Sequence, residues 1–233
     1  MSEIILFFSP ELAPEVARFE PFAQLIPARQ PPAEVAADSL WCDADGLALL
    51  SPRFKGRFRL ADEALLKRVH GPSDLVRACD LRPGAEVSVL DCFAGFGTDA
   101  AVLAQHGARV TCYERSEITW LLLQDYVTRL GLPINARHGD GCAAVDAGAH
   151  DVVYLDPMFA PRSKKALPPR AAQHLRDLAV TTPIDLPRVV ERARVCARQR
   201  VVLKRRPKDE LVGTPNHQVT SKTVRFDVYL PSA

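Results

Sequence analysis

The residues most able to do chemistry lie in Tyr154-Leu155-Asp156-Pro157-Met158-Phe159. A carboxylate and a proline close a short apolar run, and an aromatic follows. Proline lacks an N–H and fixes φ, so it holds a tight turn. Such a turn leaves backbone carbonyls and the Asp156 carboxylate as acceptors facing a cleft. Acceptors placed this way can hold the two hydrogens of a planar exocyclic amine, and Phe159 can stack on the base that carries it. Asp156, Pro157 and Phe159 are therefore the candidate catalytic residues. The plainer alternative is a capped strand end with a core phenylalanine, although no strand needs Asp-Pro to end.

A second constellation is Asp91-Cys92-Phe93-Ala94-Gly95-Phe96-Gly97-Thr98-Asp99. Gly95 and Gly97 let backbone approach a ligand closely between a strand and a helix. Two ligand classes fit. A dinucleotide would set its pyrophosphate on the helix N-terminus, with Ala100 at the third glycine position. However, Asp91 and Asp99 flank the turn, and acids there repel a pyrophosphate and attract a sulfonium or an amino group. The motif alone does not separate a ligand loop from a structural turn. Glu114, seventeen residues after Gly97, can take both hydroxyls of an adenosine ribose. Arg115 either neighbours the adenine or pairs locally. Asp140-Gly141 reaches the adenine edge or is an ordinary turn. The candidate cofactor-binding set is Asp91, Gly95, Gly97, Thr98, Asp99, Glu114, Arg115, Asp140, Gly141 and Asp156.

Positioning these residues requires alternating strands and helices. Short apolar runs predict strands at 87–91, 109–113, 151–155 and 200–204, with a weaker one at 134–137. Helices are expected at 64–69, 74–79 and 98–106, the last closed by Gly107, and at 117–130, capped by Ser116 and ended by Gly131. In 117–130 the residues Ile118, Leu122 and Tyr126 form one face, flanked by Leu123, Val127 and Leu130. Asp185 and Pro187 open a further helix with Val189, Ala193, Cys196 and Ala197 inward. Residues 224–229 alternate and pair with 217–220. The expected fold class is α/β, a mostly parallel Rossmann-like sheet with an antiparallel C-terminal edge. Ahead of it, a strand at 4–8 and a hairpin turning at Asp43-Ala44-Asp45-Gly46 predict a small α/β annex. The expected division is 1–55 for the annex and 56–233 for the main domain.

The 233 residues carry a net charge of +2, with 47% apolar and 25% charged residues, which excludes wholesale disorder. No apolar stretch suits a membrane span, and no signal peptide is evident, so a cytoplasmic protein is expected. The six cysteines include no C-x-x-C pair; reduced, mostly buried thiols and no metal site are expected. Charge is unevenly spread. Residues 1–50 hold eight acids and two bases, whereas residues 159–210 hold fourteen Lys/Arg and five Asp/Glu. The second excess suggests a polyanionic partner. Arg162, Lys164, Lys165 and Arg170 follow the Asp-Pro turn and are candidates for phosphate contacts. Arg53, Lys55, Arg57 and Arg59 either extend that surface or are solvated bases around core phenylalanines 54 and 58.

Taken together, D-x-x-A-G-x-G after one strand, an acid after the next and D-P-M-F after the fourth resemble class I S-adenosylmethionine-dependent methyltransferases acting on amino nitrogens. The run 153–159 with Lys164, Lys165, Ala166 and Leu167, the segment Val202-Leu203-Lys204-Arg205 and residues 223–229 resemble the RsmJ family in particular, the bacterial 16S ribosomal RNA guanine-N2 methyltransferases. The resemblance runs from about Asp62 to Leu230. It implies S-adenosylmethionine as cofactor and 16S rRNA or the small ribosomal subunit as partner. It also implies cofactor contacts at Thr98-Asp99, Glu114-Arg115, Asp140-Gly141 and Asp156. The chain departs from the family at Thr98, where arginine is usual, and at Asp140-Gly141, where small hydroxyl residues are usual. The rival expectations are an amino-methyltransferase of DNA or another RNA, an NAD(P) oxidoreductase, and a non-catalytic RNA-binding module. The first keeps the same site; the second lacks an evident hydride-transfer partner; the third conflicts with the full set of acids.

Overall fold

A computed structural model describes residues 4–60, 73–145, 150–158, 170–179 and 183–232. The expected helix at 64–69, Phe159, Arg162, Lys164 and Lys165 lie outside the described residues.

The first sheet holds β1 (Ile4–Phe8), β2 (Ala23–Pro27), β3 (Ser39–Asp43), β4 (Gly46–Ser51) and β5 (Phe54–Phe58) in the order β2-β1-β3-β4-β5. A short helix, α1 (Ala13–Val16), lies between β1 and β2. β1 runs parallel to β2 and β3, and the β3–β4 hairpin turns where expected, pairing Asp43 with Gly46. Asp45 N–H donates to Asp43 Oδ1 at 3.0 Å, which stabilises that turn. β2 and β5 were not expected. β2 ends on a proline at the sheet's edge. β5 is Phe-Lys-Gly-Arg-Phe, whose middle residues are exposed, so neither reads as a buried run.

The second sheet carries the site. Its strands are β6 (Ser88–Asp91), β7 (Arg109–Glu114), β8 (Ile134–His138), β9 (Val152–Leu155), β10 (Arg200–Arg205), β11 (His217–Thr220) and β12 (Arg225–Tyr229). Their order is β11-β12-β10-β9-β6-β7-β8. The five strands from β10 to β8 are parallel, while β12 pairs antiparallel with β10 and β11 with β12. β6 and β9 are buried throughout, as expected of central strands covered on both faces.

The helices are α2 (Asp74–Ala78), α3 (Thr98–Gln105), α4 (Glu117–Arg129), α5 (Arg170–Leu178) and α6 (Leu186–Cys196). Ser116 Oγ accepts from Thr119 N–H at 3.3 Å and caps α4; Asp185 caps α6 through Arg188 N–H. α6 turns Val190 inward along with Ala193, a position the expected face omitted. α4 has more than one apolar face. Leu121 and Leu122 join the core of the first sheet, and Leu123 and Val127 join that of the second. The helix lies between the two sheets and links them.

Among the described residues, no helix is long and apolar enough to cross a membrane, and no group of three or more His, Cys, Asp or Glu could hold a metal ion. The six cysteines are free thiols, four of them buried.

Candidate functional site

The parallel strands end on one edge of the second sheet in the order β8, β7, β6, β9, β10. The chain reverses its direction of travel between β6 and β9, and ligands of open α/β sheets bind at such a point. Asp91 ends β6, Glu114 ends β7, Asp140-Gly141 follows β8 and Asp156-Pro157 follows β9. Lys204 lies one residue from the end of β10.

The turn between β6 and α3 is held on several sides. Ala94 N–H donates to Tyr113 O at 2.9 Å and Gly97 N–H to Ala94 O at 2.8 Å. Gly97 has φ +72°, and a Cβ there would lie 2.3 Å from Leu123 Cδ1, so the position requires glycine. Phe96 at this turn is buried in the core of the first sheet, its ring 5.3 Å from that of Phe58. The annex thus anchors the glycine turn. Opposite it, a Cβ on Gly141 would meet the Cys92 backbone at 2.5 Å, so the loop after β8 closes on the turn only with glycine there.

Glu114 is fixed by this turn. Its Oε2 accepts from Gly95 N–H at 2.9 Å and its Oε1 from Ser116 N–H at 2.7 Å. The Arg115 backbone also favours the charged carboxylate, and with about four lone-pair sites the group keeps capacity for a ligand. Burial raises the Glu114 carboxyl above the ordinary glutamate value, against the pull of its backbone donors. Asp91 is only 1% exposed, and Phe93 N–H donates to its Oδ1 at 3.0 Å. Burial, reinforced by Asp99 and Asp156, pushes Asp91 up to about 8 despite the Phe93 N–H and the Lys204 charge.

Asp99 and Asp156 share one ammonium. Lys204 Nζ donates to Asp99 Oδ2 at 2.5 Å and to Asp156 Oδ2 at 2.7 Å, while Tyr154 OH donates to Asp99 Oδ2 at 2.7 Å. Burial draws Lys204 down, but the Asp156 and Asp99 charges outweigh it and hold the lysine above its ordinary value.

The sequence profile of the SAM-dependent methyltransferase family matches residues 64–231. The chain belongs to that family. Similar proteins include ribosomal RNA small subunit methyltransferase J of Thioalkalivibrio sulfidiphilus, 37% identical, and that of Nitrosococcus oceani, 40% identical. Each match covers 67% of this chain and 67% of the relative. A solved SAM-dependent methyltransferase from Neisseria gonorrhoeae is 26% identical with a TM-score of 0.72, covering 98% of this chain and 96% of that one. That likeness takes in the first sheet as well as the second.

A SAM-dependent methyltransferase must hold an adenosine and a sulfonium at this edge, and the residues fit. Glu114 sits at the tip of the strand next to the glycine turn, preset by two backbone donors and with lone pairs left for ribose hydroxyls. Gly95 and Gly97 line the turn, and Thr98 and Asp99 open α3, both half-buried. Asp140 is exposed and accepts from Cys142 N–H at 2.9 Å, while Gly141 is buried against Cys92. Arg115 is half-buried, and its carbonyl lies 3.2 Å from His138 Nε2. Asp156 keeps a side chain 25% exposed, and Pro157 behind it is buried.

Two groups of expected residues are placed differently. Asp91 lies beneath the turn, closed off from solvent, and not as an open acid flanking a ligand. Arg170 ties α5 to the first sheet through Lys55 O at 2.5 Å and also meets His174 Nε2 on its own helix at 3.3 Å. Arg53, Arg57 and Arg59 pair with Asp38, Asp43, Asp45 and Asp177. Phe54 and Phe58 pack on His174 at 4.3 and 4.5 Å. Lys204 was not among the expected site residues. The available signal was a lysine ending the apolar run Val201-Val202-Leu203.

Proposed function

We propose that this methyltransferase modifies the exocyclic N2 amine of a guanosine in 16S ribosomal RNA, in the cytoplasm. The observation that carries the reading is Asp156-Pro157 just past the end of β9, at the same sheet edge as the glycine turn, with the Asp156 side chain 25% exposed. The printed name of the relatives supports rRNA of the small subunit as the substrate class. In this reading the annex runs through the end of β5 at Phe58, a few residues beyond the expected boundary at 55, because β5 completes the first sheet, and the catalytic unit follows it.

S-adenosylmethionine supplies an electrophilic methyl on a sulfonium sulfur when bound. Glu114 takes its ribose, with Gly95, Gly97, Thr98 and Asp99 around the rest and Arg115 and Asp140-Gly141 by the adenine. The N2 lone pair is delocalised into the guanine ring, so the amine is a poor nucleophile. Asp156 and the Pro157 carbonyl accept its two hydrogens and localise the lone pair on nitrogen. As the N–C bond forms and the C–S bond breaks, the amine proton leaves to Asp156 or to water. Phe159 stacks on the base, which must be flipped or single-stranded to reach the turn. Proximity and preset acceptors account for the catalysis, with no covalent enzyme intermediate.

The test is transfer of a labelled methyl group from S-adenosylmethionine to small-subunit rRNA, followed by nucleoside analysis. N2-methylguanosine is expected. Label in an adenosine or cytidine amine, or only in DNA, would overturn the guanine assignment. Asp156→Ala should keep its melting transition and lose about 100-fold or more in turnover, as loss of a preorganised contact at the reacting group does. Turnover near that of wild type would dismiss the role given to Asp156.

A further inference from the structure

We propose that the uncovered face of β7 and β8 is a second docking surface for the phosphate backbone of rRNA, with Arg109, Arg137 and Arg198 as its phosphate contacts. The inference rests on the substrate class proposed above and adds to it a surface on the other side of β6 from the Asp-Pro turn.

A parallel sheet is ordinarily covered on both faces, and its strands then read as unbroken apolar runs. β7 and β8 alternate instead. Val110, Cys112, Ile134 and Ala136 pack into the core beneath α3 and α4. The residues between them, Arg109, Thr111, Asn135 and Arg137, face the opposite way. Thr111 is half-buried and the other three are exposed. Thr111 pairs with Asn135 and Tyr113 with Arg137, so the polar positions of the two strands lie side by side. A crossover between parallel strands is usually a helix that covers such a face. Here the described part of the chain between β8 and β9 contains none, and α6 covers β9 and β10 through Val190 and Ala193. What is left at the start of the strands is a cleft of about 790 Å³ whose lining includes Ser88, Arg109, Thr111, Asn135 and Arg198.

The charge of this face is positive. Arg137 is held by a neutral partner: the Asn135 amide oxygen accepts from its Nε and Nη2, both at 3.2 Å, which steers the guanidinium without cancelling its charge. Asp151 bears on both Arg109 and Arg198. Its Oδ2 is bound into the start of β6, accepting from Ser88 N–H at 2.8 Å and Ser88 Oγ–H at 2.7 Å, and Arg198 comes no closer than 3.9 Å to its Oδ1. An exposed contact that loose exchanges for a phosphate at little cost. One carboxylate tied to a strand thus stands against three arginines. Arginine takes phosphate bidentately, and hydroxyl and amide side chains add donors to phosphate oxygens. The arginines also lie in line with the site. Arg109 begins β7 and Glu114 ends it, about 16 Å further on at about 3.3 Å per residue. Arg137 pairs with Tyr113, the neighbour of Glu114. The face is therefore a track from the cofactor edge to the far edge of the sheet, along which a strand leaving the target nucleotide is held.

The experiment compares Arg109→Gln combined with Arg137→Gln against wild type, in binding of small-subunit rRNA across a salt series and in methylation of the same RNA. Both arginines are exposed, so the melting transition should not move. Losing two phosphate contacts on a single strand flattens the log–log salt slope by about 1.4, which weakens binding about 25-fold at 0.1 M salt and leaves it near wild type at 1 M. The kcat at saturating rRNA and the S-adenosylmethionine Kd should stay within about twofold of wild type. Asn135→Asp sets a carboxylate against the Arg137 fork and cancels its charge with the arginine still in place. It should flatten the slope by about 0.7 and weaken binding about fivefold at 0.1 M salt. An unchanged slope in the double variant, an equal loss of affinity at 0.1 and 1 M salt, or a loss of cofactor affinity that matches the loss of rRNA affinity would each overturn the proposal. So would a wild type that sediments as a dimer and a double variant that sediments as a monomer, since the face would then be covered by a second copy of the chain. Wild-type protein that neither binds nor methylates rRNA sinks the underlying reading and this inference with it. An active wild type with an unaffected double variant sinks the inference alone.

Discussion

Asp91 ends β6 in a place where water does not reach it, and its carboxyl is pushed up to about 8, chiefly by burial. The folded protein therefore holds a proton on Asp91 at neutral pH that the unfolded chain, with an ordinary value of 3.8, has released. The sign follows from proton linkage: stability falls with rising pH wherever the folded state binds more protons than the unfolded one. The contribution of Asp91 is full below pH 3.8, declines as pH rises, and is lost above about 8. Asp91→Asn keeps an acceptor for Phe93 N–H and removes the titration. Its melting temperature should exceed that of wild type by several degrees more at pH 8 than at pH 5, since 1 kcal/mol moves Tm by about 2–4 °C in a domain of this size. Differential scanning calorimetry across that pH range is the check, and a Tm difference that does not change with pH would refute the assignment. At this scale the sequence was informative about which acids gather at the sheet's edge, because each ends or follows a recognisable strand. It was silent about which of them water reaches. It was silent too about Lys204, whose partner Asp99 lies 105 residues away in the chain.

α4 shows why helix periodicity read correctly can still miss an element's role. Ile118, Leu122 and Tyr126 do recur at helical spacing, yet Thr119, Leu121, Leu123 and Asp125 between them are buried too, because the helix has a sheet on each side. Asp125, next to Gln124, would be read as part of a solvated face. It is 3% exposed and joins the two halves of the molecule. Its Oδ2 accepts from Leu47 N–H at 2.9 Å at the start of β4 and from Arg129 at 3.0 Å, and its Oδ1 accepts from Arg18 at 3.1 Å. A one-dimensional pattern has no means of anticipating a second sheet packed on a helix's far side. Removing one partner of such a buried cluster leaves an unsatisfied N–H and unpaired charge, at a cost of about 3–5 kcal/mol. Asp125→Ala should therefore lower chemical-denaturation stability by about 3 kcal/mol or more, with Asp125→Asn falling between. A loss under about 1 kcal/mol would mean the cluster is satisfied in some other way and does not join the halves.

Charge is distributed over the whole molecule in a way that separates two basic surfaces which look alike in sequence. The arginines following β4 are already matched: Arg53 meets Asp38, Arg57 meets Asp43, and Arg59 meets Asp43 and Asp45. An arginine paired with a carboxylate neutralises a phosphate only by giving up that partner. Of the fourteen bases at 159–210, set against five acids, Arg198, Arg200 and Lys204 meet acids outside the segment, and this takes up only part of its excess of nine. Attraction of an rRNA backbone should therefore come from Arg162, Lys164, Lys165 and their neighbours. Binding that displaces counterions weakens with salt, with a log–log slope near −0.7 per phosphate contact on single strands. About five contacts would raise Kd by roughly 100-fold between 0.1 and 0.4 M salt. Lys164→Ala combined with Lys165→Ala should weaken binding of an rRNA fragment and flatten that slope by about 1.4, two contacts' worth. Arg53→Ala combined with Arg57→Ala should leave both affinity and slope near wild type. Filter binding across a salt series measures all four quantities. If the arginine pair flattens the slope as much as the lysine pair, the ion pairs along β5 open to receive RNA, and the surface that meets the substrate includes the annex.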